Sequence, residues 1–229
     1  LKYDPDALKY IKLLKLEYFE AKSTKAPVPR NQDIPHEAFG TLRGRNCVLV
    51  ATSHAWFYQN HPDPEGAKLE LIRTKFAPKL RKKFPNADIL IFDDWHSCPQ
   101  WPRLTKEEET RFQNAMEHMN SIYIYCDIIL FLECALPELD ETIYECELTP
   151  CNHGWLHFID TVQYVGENVV EDGTLTIRKN DIIVGIEDIS ILKEMKNRTK
   201  LQYLRRPYGR PNRVPADERG WLYVFIPSL

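Results

Sequence analysis

The sequence has no apolar stretch approaching the roughly 18–20 residues that a membrane-spanning helix needs; runs such as Ile128–Leu132 are strand-sized. It also lacks a Gly-x-Gly-x-x-Gly fingerprint and a P-loop, which excludes nucleotide binding through a glycine-rich turn. Without a Gly-x-Ser-x-Gly elbow, the α/β-hydrolase route to an exposed serine is missing too. The formal charge of −3 gives no global attraction for nucleic acid or an anionic membrane, so neither is an expected partner. No signal peptide, internal repeat or low-complexity tract is recognisable. The six cysteines are scattered, with Cys47, Cys126 and Cys134 in or beside apolar runs, where a thiol acts as a small hydrophobe. A reduced, cytoplasmic protein is therefore expected.

What is present is enough for a packed domain. At 43% hydrophobic and 28% charged over 229 residues, the chain can bury a real core and is not of disordered composition. Between Asp4 and Lys22, Leu8, Ile11, Leu14, Tyr18 and Phe19 recur at helical spacing, which predicts an amphipathic N-terminal helix. Pro27, Pro29 and Pro35 then break regular structure, making 23–44 a connecting arm.

Strands are predicted at Cys47–Thr52, Asp88–Phe92 and Asp127–Leu132. Helices are predicted between them, at Ala67–Phe84 and after a Thr105/Glu108 capping box, with Phe112, Ala115, Met116, Met119 and Ile122 turned inward. Alternating strands and helices imply right-handed crossovers and a doubly wound, mainly parallel α/β sheet. Further on, a helix is expected at Gly154–Val165 and a hairpin at Thr174–Arg178 with Asp181–Ile186. A short helix at Ile189–Met195 and a strand at Trp221–Ile226 complete the expectation. The domains read as 1–44 (helix and arm), 45–165 (α/β core) and 166–229 (an α+β extension packed on the core).

Two strand ends stand out. Cys47–Thr52 runs into Ser53-His54-Ala55-Trp56, and Ile89–Phe92 into Asp93-Asp94-Trp95-His96-Ser97-Cys98-Pro99-Gln100. Apolar strands that stop at polar and aromatic residues are how parallel strands look where their carboxyl ends open into a site, and ligands of open α/β sheets bind there.

These segments, with His61-Pro-Asp-Pro-Glu-Gly66, Pro102-Arg103, Glu107–Glu109 and His153-Gly154-Trp155, form an ordered series. Over about residues 45–165 it resembles the TIR-like group of flavodoxin-type α/β domains, which includes relatives of the fungal heterokaryon-incompatibility domain. In that group strands end in Ser-His-Arg-Trp and in Asp-Tyr-Cys-Ser-Leu-Pro-Gln, and an Arg-Gly-Trp-Cys-x-x-Glu segment follows. The resemblance implies a role in signalling or defence. Active members cleave NAD at the nicotinamide–ribose bond, whereas others act by self-association or by binding a protein partner. It implies NAD as a substrate rather than a required cofactor, with Ser53, His54, Trp56, Trp95, Ser97, Gln100 and Trp155 around the nucleotide.

One departure is chemical. The family's catalytic glutamate lies four residues after the tryptophan, and Ile159 stands at that position here. An N-glycosidic cleavage develops positive charge on the ribose, which a carboxylate stabilises and isoleucine does not. Asp160 is about 100° further round a helix and is no simple substitute. The carboxylates left for the task are Asp93, Asp94 and Glu133.

Each candidate has a plainer alternative. Side chains alternate across a strand, so at most one of Asp93 and Asp94 is expected to face a pocket, the other capping a turn. Ser53 and His54 are neighbours and point apart, so His54 is expected to hydrogen-bond across the site instead of activating the serine. The tryptophans stack a base or serve as packing. Cys146, Cys151, His153 and His157 lie near one another in the chain, but Cys-x4-Cys is looser than usual for zinc, and no metal site is expected. Arg205, Arg206, Arg210 and Arg213 either clamp a phosphate or lie in a solvated, proline-broken loop. Three functions follow: a nucleotide glycosidase of NAD glycohydrolase type, a non-catalytic TIR-like assembly module, or a nucleoside deoxyribosyltransferase-like enzyme, the last by analogy of fold.

Overall fold

The computed structural model describes residues 7–42, 46–136, 138, 141–148, 155–158, 161–164, 169–171, 174–177, 181–184, 199–206 and 208. The chain divides into two compact units, one built on residues up to 57 and from 62 to 136, the other on Tyr58–His61 and residues from 137 to 212.

The first unit is a mixed five-stranded sheet with helices on both faces, an α/β arrangement. Its centre is β3 (Cys47–Ser53), flanked in parallel by β4 (Asp88–Phe92) and β5 (Ile128–Phe131), with Val50 opposite both Ile91 and Ile128. Alternate residues of these strands enter opposite cores. Val48, Val50, Ile89 and Ile91 pack with Leu69 and Ile72 of α3 (Ala67–Leu71) and the π-helical turn that follows, and with Leu80 of α4 (Ala77–Lys83). Leu49, Ala51, Leu90 and Phe92 pack with Ala115 and Ile122 of α6 (Lys106–Tyr125). The predicted helix at Ala67–Phe84 thus holds as α3–π turn–α4. Pro78 lacks the N–H that an α-helical bond to residue 74 would need, which accounts for the widened turn there. At the start of α6, Thr105 Oγ1 accepts the Glu108 N–H at 3.1 Å and Glu108 accepts the Leu104 N–H at 2.7 Å, a capping box displaced by one residue.

The N-terminal segment departs from expectation. In place of one helix over Asp4–Lys22 it forms α1 (Ala7–Tyr10), β1 (Leu13–Lys15) and α2 (Leu16–Glu20). β1 pairs antiparallel with β4, Leu14 opposite Ile91, and with β2 (Phe39–Gly40). The sheet order is β2-β1-β4-β3-β5. Helical spacing was outweighed by tertiary pairing. An extended Leu13–Leu14 covers the edge of β4 and sends one leucine into each core, both at most 2% exposed. The described residues of 1–44 belong to the first unit.

The second unit is antiparallel. β6 (Ile143–Leu148), β7 (Trp155–Phe158), β8 (Thr161–Tyr164), β11 (Ile182–Val184) and β12 (Thr199–Leu204) form a sheet in the order β6-β12-β11-β8-β7, beside a separate pair of β9 (Val169–Glu171) and β10 (Thr174–Ile177). The helix expected over Gly154–Val165 is instead the β7–β8 pairing, with Trp155 opposite Tyr164; Thr161-Val162-Gln163-Tyr164 has strand propensity that the periodicity reading passed over. The expected hairpin is also re-partnered: β10 pairs with β9, and β11 with β8 and β12. Because β7, β8, β11 and β12 share one sheet, a boundary between 165 and 166 cuts through a single unit. The expected helix at Ile189–Met195 and strand at Trp221–Ile226 lie outside the described residues. No helix among the described residues is long and apolar enough to cross a membrane.

Candidate functional site

The carboxyl ends of the adjacent parallel strands β3 and β4 bring His54 and Asp93-Asp94 together. Asp93 leaves β4 in extended conformation and α5 (Asp94–Ser97) begins directly after it. That turn removes the strand alternation. Both carboxylates reach the same imidazole, with His54 Nε2 2.9 Å from Asp93 Oδ2 and 3.6 Å from Asp94 Oδ1. Both touch His54, but only Asp94 keeps an exposed face.

Asp93 is fully buried and saturated. Its Oδ2 accepts from Thr52 Oγ1 at 2.7 Å and from His54 Nε2, its Oδ1 from His96 Nδ1 at 2.6 Å, and its N–H donates to Ser97 Oγ at 3.1 Å. Burial alone would raise its carboxyl. The charges of His96 and His54 and their hydrogen bonds overcome that and hold it well below the ordinary carboxylate range. On His54 the balance has the opposite sign: burial would lower the imidazole, but the Asp93 charge and hydrogen bond, with Asp94 behind them, leave it raised. Asp93 is an anionic anchor between two histidines.

Asp94 differs. Its side chain keeps 36% exposure, so it is the acid that a ligand can touch. Its Oδ2 accepts the Trp56 indole N–H at 2.9 Å and its Oδ1 the Trp95 N–H at 2.7 Å. Burial raises its carboxyl, the Asp93 charge adds to this, and His54 and the two N–H donors oppose without cancelling it. An acid pushed upward at a strand end, beside a second acid pushed downward, is the separation that acid–base chemistry uses.

The other expected residues take differing places. Trp56 stays partly exposed and meets Trp95 edge to face at 5.5 Å, an aromatic wall beside Asp94. Trp95 is buried and donates to Val28 O at 3.1 Å, a packing role. Ser97 and Gln100 are buried and brace backbone, Gln100 Nε2 reaching Asp94 O at 2.7 Å and Cys98 O at 3.0 Å. Ser53 is held through its carbonyl by the Leu132 N–H, and the His54 ring turns to Asp93 instead of to the serine hydroxyl. Glu133 is exposed beyond β5 and makes no hydrogen bond to the cluster. Trp155 lies on β7 of the second unit, and Ile159 lies outside the described residues.

Three participants were not anticipated. Thr52 and His96 complete the coordination of Asp93. Lys68 is 4% exposed at the start of α3, its Nζ bonded to Pro62 O and set 3.7 Å from the centre of the Phe57 ring. Burial brings it down to about 8, against the upward pull of Asp63 and Asp93. A lysine at a helix start ordinarily signals solvent. The one clue was Asp63, which accepts the Lys68 and Leu69 N–H groups at 2.9 and 3.0 Å and so turns this helix end inward, with Gly66 at φ +82° permitting the bend.

Ligand atoms of His54, Asp93 and Asp94 lie within 4.8 Å of one another, a spacing that a divalent ion can bridge. The donor chemistry fits poorly. A metal-bound imidazole passes its other N–H to an acceptor, and His54 Nδ1 is buried without a hydrogen-bond partner. Asp93 is already taken up by three side-chain donors, and Lys68 adds positive charge nearby. Of the Cys146, Cys151, His153 and His157 group, Cys146 sits on β6 and His157 on β7, and Cys151 and His153 lie outside the described residues. Arg205 forms an ion pair at 2.7 Å with the fully buried Asp181, and the Arg206 N–H donates to the same carboxylate, a structural role.

Comparison with protein-family models, curated proteins and solved structures finds no match to the chain.

Proposed function

We propose that this chain is a TIR-like α/β enzyme that cleaves the N-glycosidic bond of a nucleotide, NAD foremost, with Asp94 as the working carboxylate. The observation that carries this is Asp94 itself: the one aspartate of the cluster open to a ligand, raised by burial, and set beside a partly exposed indole. The parallel order β4-β3-β5, with helices on both faces, supports a doubly wound flavodoxin-type core, whose ligands sit beyond these strand ends.

In this reading the base or nicotinamide stacks on Trp56 and the ribose lies over Asp94. As the glycosidic bond breaks, the carboxylate stabilises positive charge at the anomeric carbon and water completes the hydrolysis. Asp93 holds His54 against Asp94 and takes no part in bond-breaking. Asp94 thus stands in for the carboxylate that Ile159 does not supply.

Incubating the protein with NAD and measuring nicotinamide tests the proposal. Release is expected, with an acid limb displaced upward from that of an ordinary aspartate, because the ionised form of a raised acid does the work. No release at high protein concentration contradicts it.

A second reading, the non-catalytic assembly module, is favoured by Ile124, Tyr125 and Phe131, which stand 65%, 47% and 42% exposed at the end of α6 and on the edge strand β5. It predicts concentration-dependent self-association by light scattering that Ile124→Ser with Phe131→Ser abolishes. A strict monomer that binds no protein partner contradicts it.

A further inference from the structure

α5 is a single turn, too short to hold its own shape. The carbonyls at such an end lack intrahelical partners. Two of them, at Ser97 and His96, are taken up from elsewhere, and Asp94 O, which already accepts the Cys98 N–H at 3.3 Å, gains a second donor. Asp94 O accepts Gln100 Nε2 at 2.7 Å, Ser97 O accepts the Lys12 N–H at 3.0 Å, and His96 O accepts Asn31 Nδ2 at 2.6 Å. Two of these donors belong to the N-terminal segment, some 65 residues or more away in the chain.

Asn31 is 1% exposed and its amide has one possible orientation. The nitrogen meets a carbonyl, and the oxygen accepts Arg111 Nη2 at 2.6 Å, while Arg111 Nε holds Tyr10 O at 3.0 Å. Gln32 beside it makes a reciprocal pair with the backbone of Gln100, at 2.6 Å and 2.9 Å, and Gln100 in turn grips Asp94 O. On the other side Val28 O accepts the Trp95 indole. The turn that displays Asp94 is thus braced from without, in addition to the His96–Asp93 bond within it.

We propose that Asn31 is a positioning residue of the candidate site: through the His96 carbonyl it fixes the turn that presents Asp94, and Gln32 braces the far end of that turn through Gln100. This deepens the glycosidase reading and rests on it for the reaction, though not for the placement of Asp94. A residue of this kind acts on rate through geometry, where a displacement of about 1 Å costs up to a hundredfold.

The test uses the full chain with Asn31→Asp, which keeps the acceptor for Arg111 and loses the donor to His96 O. Gln32→Ala, at a half-buried position, is the second variant and decides if the first does not fold. Leu80→Ala, on α4 and outside the hydrogen bonds that hold the turn, is the control for destabilisation. The placement readout is the ¹⁵N indole resonance of Trp56, whose N–H is bonded to Asp94 and which Trp56→Phe assigns. This resonance is expected to move in both turn variants and stay in place in Leu80→Ala. kcat for nicotinamide release should fall about ten- to a hundredfold with KM within about twofold. An unmoved indole in the folded turn variants, or an equal move in Leu80→Ala, overturns the proposal. If the parent protein releases no nicotinamide, the reaction reading fails and the indole resonance still decides the placement.

Discussion

Two neighbouring aspartates in this chain do opposite things because their surroundings differ within a few ångströms. Asp93 is closed in by Thr52, His54 and His96, while Asp94 keeps a face open. The pH dependence of stability should show this. A carboxyl held below its unfolded value stabilises the fold fully above that value, about 3.9 for aspartate, and loses the contribution as pH falls through its folded value. His54, raised, contributes below its ordinary value and loses it as pH rises through the raised one. Asp93→Asn is therefore expected to cost about 3 kcal/mol or more near neutral pH. The gap to the parent should narrow as pH falls below the ordinary carboxylate range. Urea denaturation across a pH series measures it, and a gap constant down to strong acid would show that the Asp93 charge does not anchor the site.

At the scale of elements, β1 makes the strongest claim. Leu14 is completely buried between β4 and the helices of one face, so Leu14→Ala should lower stability by about 2–5 kcal/mol with an unchanged denaturant slope. A loss under about 1 kcal/mol would show that β1 does not anchor in the core. The central strands were legible in the sequence because parallel strands buried on both faces read as unbroken apolar runs, and both strand ends of the site stood out where those runs stopped. β1 was not legible, since Leu8, Ile11 and Leu14 fit a helical period as well as a strand that feeds two cores. The antiparallel sheet of the second unit was hidden similarly: its strands are short, and their partners lie far along the chain. Within the site, Asp94, His54 and Trp56 could be found from their place at strand ends. Lys68 and Asn31 could not, because only the fold turns a lysine inward or brings residue 31 to residue 96.

For the molecule as a whole, the Thr52–His54–Asp93–Asp94–His96 network lies wholly within the first unit, together with the N-terminal residues that brace it. The second unit has its own buried ion pair, Asp181 with Arg205, and contributes a separate antiparallel sheet. The proposed chemistry thus needs an intact first unit, including its N-terminal segment. In the proposed reaction Asp94, not Asp93, is the carboxylate at which a nucleotide glycosidic bond is broken. The most direct measurement is nicotinamide release from NAD by the parent chain and by Asp94→Asn, both shown folded by the same thermal unfolding. Release by the parent is expected, with a loss of about a hundredfold or more in the variant. Equal release by both, or none by either, would contradict it.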